Sequence, residues 1–124
     1  MPEFGDIYVC RFPFTSGTFS KPRPVLVLFD LEVDVLICRI TSVSYSGRLD
    51  VELRGWTAAG LEKPSVARLN RLVTAEKSLL TKYLGRLAAS DAAAIKAAWN
   101  QNMMLWALNR SCRSILVDAL AEIV

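Results

Sequence analysis

Arg23 is the most constrained polar residue of this sequence, because it stands between Pro22 and Pro24 and directly before the apolar run Val25–Phe29. Proline fixes its own φ and pushes the residue before it toward extended backbone, so the Arg23 side chain is aimed rather than free. A guanidinium held in this way can bind a phosphate through two N–H groups, although an ordinary rim arginine beside a turn has the same neighbours. A second candidate is Thr41-Ser42, where the run Asp34–Thr41 (DVLICRIT) exhausts its apolar residues. Two adjacent hydroxyls there could hold a phosphate or sugar oxygen, or could simply start a turn. Phe14 and Phe19, between Pro13 and Pro24, could stack on bases or fold back over a core edge.

The residue inventory narrows the chemistry. Among 124 residues there is no histidine, which excludes imidazole acid–base pairs, histidine-based nucleophile relays and metal sites that need a histidine ligand. The three cysteines, Cys10, Cys38 and Cys112, are widely spaced and form no CxxC. They predict neither a zinc knuckle nor a secreted disulfide framework, and a reducing cytoplasm is the simplest home. No metal site and no cofactor is expected. The net charge is +3, and the basic surplus lies in the middle of the chain, where residues 51–89 carry seven basic and three acidic side chains. Arg54, Lys63, Arg68, Arg71, Lys77, Lys82 and Arg86 are thus a candidate surface for an anionic ligand, or a solvated set of surface charges.

Those residues need a scaffold, and the composition can build one. Hydrophobic residues make up 52% and charged residues 22% of the chain, too apolar for disorder and of a length suited to one domain. No basic stretch precedes an apolar run at the N-terminus, and the most apolar stretch, Met103–Leu108, is far too short for a membrane span. A soluble, cytoplasmic protein is predicted.

Residues 1–89 read as a series of short strands and 90–124 as a helical segment of the same single domain. Asp6–Phe12, Val25–Phe29, Asp34–Thr41, Leu49–Leu53, Ser65–Leu69 and Lys82–Leu87 are β-branched, aromatic or continuously apolar. Val25–Phe29 (VLVLF) has the pattern of a strand covered on both faces. Pro13–Pro24 and Gly55–Pro64 read as loops, and Thr74–Ser78 as one helical turn with Thr74 at its N-cap. A loop as long as Pro13–Pro24 is usually functional or mobile. Strands this short with turns between them predict a small curled sheet or barrel.

Ser90 can cap a helix beginning at Asp91. Ile95, Ala98, Trp99, Asn102, Met103 and Trp106 recur at helical spacing. Asn109–Ser111 reads as a break before a second helical stripe, Ile115, Leu116, Ala119, Leu120 and Ile123. These apolar faces complete the core, as expected for Trp99, or meet another subunit.

In order along the chain, Gly5-Asp6-Ile7-Tyr8, Lys21-Pro22-Arg23-Pro24-Val25-Leu26-Val27-Leu28 and Arg39-Ile40-Thr41-Ser42 form a specific sequence of motifs. After them come Gly60-Leu61-Glu62-Lys63-Pro64-Ser65-Val66-Ala67-Arg68-Leu69, Glu76-Lys77-Ser78-Leu79 and Leu84-Gly85-Arg86-Leu87. Together, over roughly residues 4–100, they resemble the MazF/PemK family of toxin endoribonucleases from bacterial toxin–antitoxin pairs. The resemblance implies a mainly β fold, an SH3-like barrel of five to six short strands with one or two C-terminal helices, and a homodimer. It also implies metal-independent cleavage of single-stranded RNA within a short recognition sequence, leaving a 2′,3′-cyclic phosphate and a 5′-hydroxyl, with a cognate antitoxin as partner.

By the same resemblance Arg23 and Thr41 fall on the catalytic positions, and Pro13–Pro24 on a mobile loop displaced by the antitoxin. Such cleavage uses the RNA's own 2′-hydroxyl as nucleophile, so it needs in-line geometry, charge stabilisation and two proton transfers. Arg23 suits the charge stabilisation, and Thr41 with Ser42 would position the reacting groups. No base stands out, with Asp50 and Glu52 as the candidates. Lys63, Ser65 and Arg68 would line the RNA groove, joined by Phe14, Thr15 and Lys21 from the loop side. Two other readings are a barrel of the same fold that binds a protein target, as gyrase-poisoning relatives do, and a basic RNA-binding module without cleavage. The gyrase-directed class relies on a C-terminal aromatic–glycine ending, whereas this chain ends Ala121-Glu122-Ile123-Val124.

Overall fold

Along the third strand, Val35 and Ile37 point to one side of the sheet and Leu36, Cys38 and Ile40 to the other, and apolar residues cover both sides. This computed structural model describes residues 2–11 and 21–103. Its elements are β1 (Asp6–Arg11), β2 (Pro22–Leu31), β3 (Asp34–Thr41), β4 (Asp50–Leu53), β5 (Ser65–Glu76), a 3₁₀ turn (Lys77–Leu79), β6 (Leu80–Arg86) and α1 (Ala89–Asn102). The strands form one antiparallel sheet in the order β4-β5-β3-β2-β1-β6.

The larger core joins Ile7, Leu26, Leu28, Cys38, Ile40, Leu53 and Leu69 to Ile95 of α1. Burying Ile95 fully contributes about 1.5–3 kcal/mol, and Trp99 packs beside it, edge-on to Phe29 at 6.0 Å between ring centroids. The smaller cluster, on the opposite face, is Cys10, Val25, Val27, Val35, Ile37 and Ala75. Alternate residues of Val25–Leu28 serve the two clusters, which is why that run is apolar without interruption, and Phe29 after it is half exposed.

Several boundaries differ from those the sequence predicts. Pro22, Arg23 and Pro24 belong to β2 and pair with Arg11, Cys10 and Val9 of β1. Pairing of β2 with β3 begins only at Val25↔Arg39, so both prolines stand where β2 has a neighbour on one side, the place where a missing N–H costs least. Strand β5 runs on to Glu76 through a three-residue bulge, because Cys38 pairs with Leu72 while the adjacent Arg39 pairs with Arg68. Thr74 therefore lies in the strand opposite Leu36, and the helical turn starts after Glu76 instead.

Helix α1 starts after Ala88, with no side-chain cap from Ser90. Asp91 turns away from its own helix and accepts the N–H groups of Arg54 (3.1 Å) and Gly55 (2.8 Å), anchoring the β4–β5 loop. That loop then crosses to β6. Gly60 has φ +84°, and a Cβ there would collide with the Leu84 carbonyl oxygen, so only glycine permits this approach. A loop from one edge of the sheet thus packs on the strand at the other edge. The break at Asn109–Ser111, the second helical stripe and Trp106 lie outside the described residues.

Candidate functional site

Where the β4–β5 loop meets β6, a cleft of about 510 Å³ opens at the strand ends, with Ile40, Leu61 and Leu84 of the larger core cluster in its lining. Its walls include Arg23 from β2, Arg39 and Thr41 from β3, Ser42 and Val43 beyond them, Glu62, Lys63 and Ser65 from the loop and the start of β5, and Lys82 from β6. Antiparallel pairing explains the grouping. Val25, two residues after Arg23, lies opposite Arg39, two residues before Thr41, and it is the pair with which β2–β3 pairing begins. Residues two apart on a strand share a face, so Arg23, Arg39 and Thr41 project to one side, past the end of the Val25–Ile37 cluster.

Thr41 is buried, and its Oγ1 accepts the Val43 N–H at 3.2 Å. The turn reading and the functional reading are thus compatible: the bond turns the chain and fixes the hydroxyl, whose proton remains available to donate. Ser65 is also buried and donates its hydroxyl to the Lys63 carbonyl at 2.8 Å, which orders the loop that carries Glu62 and Lys63. Arg23, Arg39, Lys63 and Lys82 form no ion pair among the described residues. Their positive field is left for a ligand.

Arg39 occupies the least favourable position of the four. Burial, reinforced by the like charges of Arg23, Arg71 and Arg68, pulls its guanidinium below the ordinary arginine pKa. Its Nε is enclosed and finds no hydrogen-bond partner among the described residues. Arg68, directly across on β5, is satisfied instead: Nε donates to Asp50 Oδ1 at 2.9 Å, and the guanidinium carbon lies 3.6 Å from the centre of the Tyr45 ring.

Of the residues singled out in the sequence, Arg23, Thr41, Ser42, Lys63 and Ser65 share this cleft. Arg68 flanks it, and Lys21 is exposed beside Pro22. Phe14, Thr15 and the remainder of the 12–20 segment lie outside the described residues. Asp50 and Glu52, the two candidate bases, line a different hollow with Arg54, Ser90 and Asp91. Asp50 is committed to Arg68 and to the Gly47 N–H, whereas the carboxylate on the cleft wall is Glu62. Sequence reasoning misses Arg39 and Glu62 as site residues and places Lys82 only within a general basic surface. A single charge inside the run DVLICRIT, two positions before Thr41, was the available signal for Arg39. Glu62 and Lys82 required knowledge of how the loop packs on β6.

Six antiparallel strands and the helix that follows them make a small, mainly β fold with a basic cleft at the strand ends. A family model described as PemK-like, MazF-like toxin of type II toxin–antitoxin system matches residues 3–103, and the chain belongs to that family. A relative from Mycolicibacterium smegmatis, named Probable endoribonuclease MazF, is 32% identical over 93 residues, which cover 70% of this chain and 83% of the relative. The solved structure of the Mycobacterium tuberculosis toxin MazF-mt6 superposes with a TM-score of 0.66 at 24% identity, over 82% of this chain and 99% of that one. A mycobacterial endoribonuclease in complex with its cognate antitoxin gives 0.67 at 20% identity, over 86% and 99%. At these identities the solved structures speak for the fold. Among the described residues, no helix is long and apolar enough to cross a membrane.

Proposed function

We propose that this chain is the toxin of a type II toxin–antitoxin pair and a metal-independent endoribonuclease that cuts single-stranded RNA, mRNA included, at a short recognition sequence. The carrying observation is that Arg23 and the Thr41-Ser42 hydroxyls share one cleft with cations on its walls. Membership of the toxin family and the relative named as an endoribonuclease support the same reading.

The reaction is attack of the ribose 2′-hydroxyl on the adjacent phosphorus. The 2′-O–P bond forms, the P–O5′ bond breaks, the 2′-hydroxyl proton passes to a base and a proton reaches the leaving O5′. The products are a 2′,3′-cyclic phosphate and a 5′-hydroxyl. Arg23 stabilises the charge that grows on the phosphorane oxygens, the contribution that preorganised donors make best. Arginine keeps its proton above pH 12, so this electrostatic role comes first and proton donation to O5′ second. Thr41 and Ser42 hold the phosphate and the 2′-hydroxyl in line, and Glu62 takes the proton. Lys63, Ser65 and Lys82 hold the RNA along the cleft, with Lys21 and Arg68 extending the basic track at its flanks. Phe14 and Thr15, outside the described residues, complete the proposed RNA-binding set. Growth inhibition results from loss of translatable mRNA. In the cytoplasm the protein acts as a homodimer restrained by a cognate antitoxin, a segment of which folds on binding.

The test is incubation of the protein with a long single-stranded transcript in EDTA, with the fragment ends read by mass spectrometry. Fragments ending in cyclic phosphate and 5′-hydroxyl are expected, with rates that fall steeply as salt rises because phosphate contacts release counterions. Intact RNA would overturn the ribonuclease reading, and 5′-phosphate ends would overturn attack by the 2′-hydroxyl.

A further inference from the structure

Arg39 and Arg68 face each other across β3 and β5, yet only Arg68 has been given a counter-charge. Asp50 and the Tyr45 ring occupy Arg68, while Arg39 keeps an enclosed Nε with no partner among the described residues and stands amid Arg23, Arg68 and Arg71. A buried donor without an acceptor is a cost that folded proteins rarely carry, and a neighbourhood of like charge adds to it. Nothing in the packing requires a cation there. Val35 and Ile37, on the same face of the same strand, are fully buried apolar residues, and a third would continue their pattern. An arginine retained against its surroundings at a cleft wall has the form of a site waiting for an anion.

The register indicates which anion. Arg23 and Arg39 occupy diagonal positions on β2 and β3, since Val25 lies opposite Arg39 and Arg23 stands two residues before Val25 on the same face. Diagonal neighbours lie about 7–8 Å apart at their bases, within reach of long side chains. Two guanidiniums from such positions can close on one phosphate from two sides. Both line the same cleft, with Thr41 two residues along from Arg39. A phosphorane carries one more negative charge than the phosphodiester that precedes it, so a second guanidinium gains most when that charge appears.

We propose that Arg39 is a second catalytic arginine, gripping the same scissile phosphodiester as Arg23 and strengthening its hold as the phosphorane forms. The assignment rests on the ribonuclease reading above and adds a residue to it. It also predicts that activity and stability oppose each other here: without RNA, the repulsion within the cationic cluster is relieved when an unbranched apolar side chain replaces Arg39.

The experiment compares wild type, Arg39→Met and Arg39→Lys for cleavage of one transcript in EDTA, with kcat, KM and Tm measured for each. Arg39→Met should lower kcat at least 100-fold, change KM less than about fivefold, and leave Tm equal to or above that of wild type. Arg39→Lys, which keeps the charge and loses the two-pronged grip, should fall between the two. A wild-type protein that cleaves alongside an Arg39→Met variant within threefold of it would overturn the assignment of Arg39 alone. An unchanged kcat with a raised KM would place Arg39 on a different phosphate and overturn the proposal as stated. A large fall in Tm accompanying the loss of activity would make Arg39 structural, and overturn it too. Wild type that leaves RNA intact would remove the ribonuclease reading and this inference with it.

Discussion

Asp50 on β4 and Arg68 on β5 are register partners joined by an ion pair, Nε to Oδ1 at 2.9 Å, with side chains only 6% and 12% exposed. The pair pins the edge strand β4 to the sheet and removes one arginine from a crowded cationic face. Asp50 also accepts the exposed Gly47 N–H, but the donor its loss strands is the enclosed Arg68 guanidinium. Asp50→Ala should destabilise the fold by about 2–4 kcal/mol. In a double-mutant cycle of chemical denaturation, adding Arg68→Met should recover part of that loss, because the uncompensated charge is gone. Purely additive losses would show that the two side chains do not depend on each other.

Asp91 and Ser90 make opposite predictions although they are adjacent. Asp91 is buried and holds the N–H groups of Arg54 and Gly55, while Ser90 is exposed and gives α1 no cap. Asp91→Ala should cost about 2–4 kcal/mol and Ser90→Ala less than about 0.5 kcal/mol. Equal effects in thermal or urea unfolding would return Ser90 to the capping role that the sequence suggests.

Gly60 joins the cleft wall to β6. With φ +84° and the Leu84 carbonyl oxygen in the path of any Cβ, Gly60→Ala must move backbone and not merely a side chain. A loss of about 3 kcal/mol or more is expected, read as a fall in the denaturation midpoint. A variant of wild-type stability would mean that the loop does not rest on β6.

Much of this architecture is legible in local patterns. Alternating or continuous apolar runs locate β1, β3 and the centre of β2, and two prolines single out Arg23 without any contact being known. The extension of β5 is hidden because Asn70, Arg71 and Thr74 interrupt its apolar pattern, and the bulge between Leu69 and Leu72 shifts the phase of the residues from Leu72 to Glu76. In the sequence Asp91 has the look of a helix-dipole residue, since nothing local reveals that its carboxylate serves a loop more than thirty residues earlier. Asp50 and Glu52 suggest themselves as bases by type alone. The fold turns Asp50 to Arg68 and brings Glu62 to the cleft, an outcome fixed by how the β4–β5 loop crosses to β6.

Cys38 gives a chemical readout of the core. Complete burial pushes its thiol up to about 12, and burial raises the Cys10 thiol as well. At pH 8 the native Cys38 is therefore thiolate in only about one molecule in 10,000, against roughly a quarter for a free cysteine with a pKa near 8.5. Iodoacetamide with peptide mapping should leave Cys38 unlabelled in native protein and label it in denaturant. Because the unfolded chain ionises Cys38 near pH 8.5 and the folded chain does so only near pH 12, stability should decline as pH rises through that interval. Cys38→Val should reduce the slope; rapid native labelling would contradict the packing of this face.

Whether Arg23 and Thr41 act on one phosphodiester, the premise on which the ribonuclease reading stands, is decided by a kinetic double-mutant cycle. Arg23→Ala and Thr41→Val should each lower kcat/KM for a single transcript by at least 100-fold, and the double variant should be within about threefold of the slower single variant, since groups that act as a unit are not additive. Losses that multiply would mean that the two side chains work independently, and would contradict the cleft as one catalytic centre.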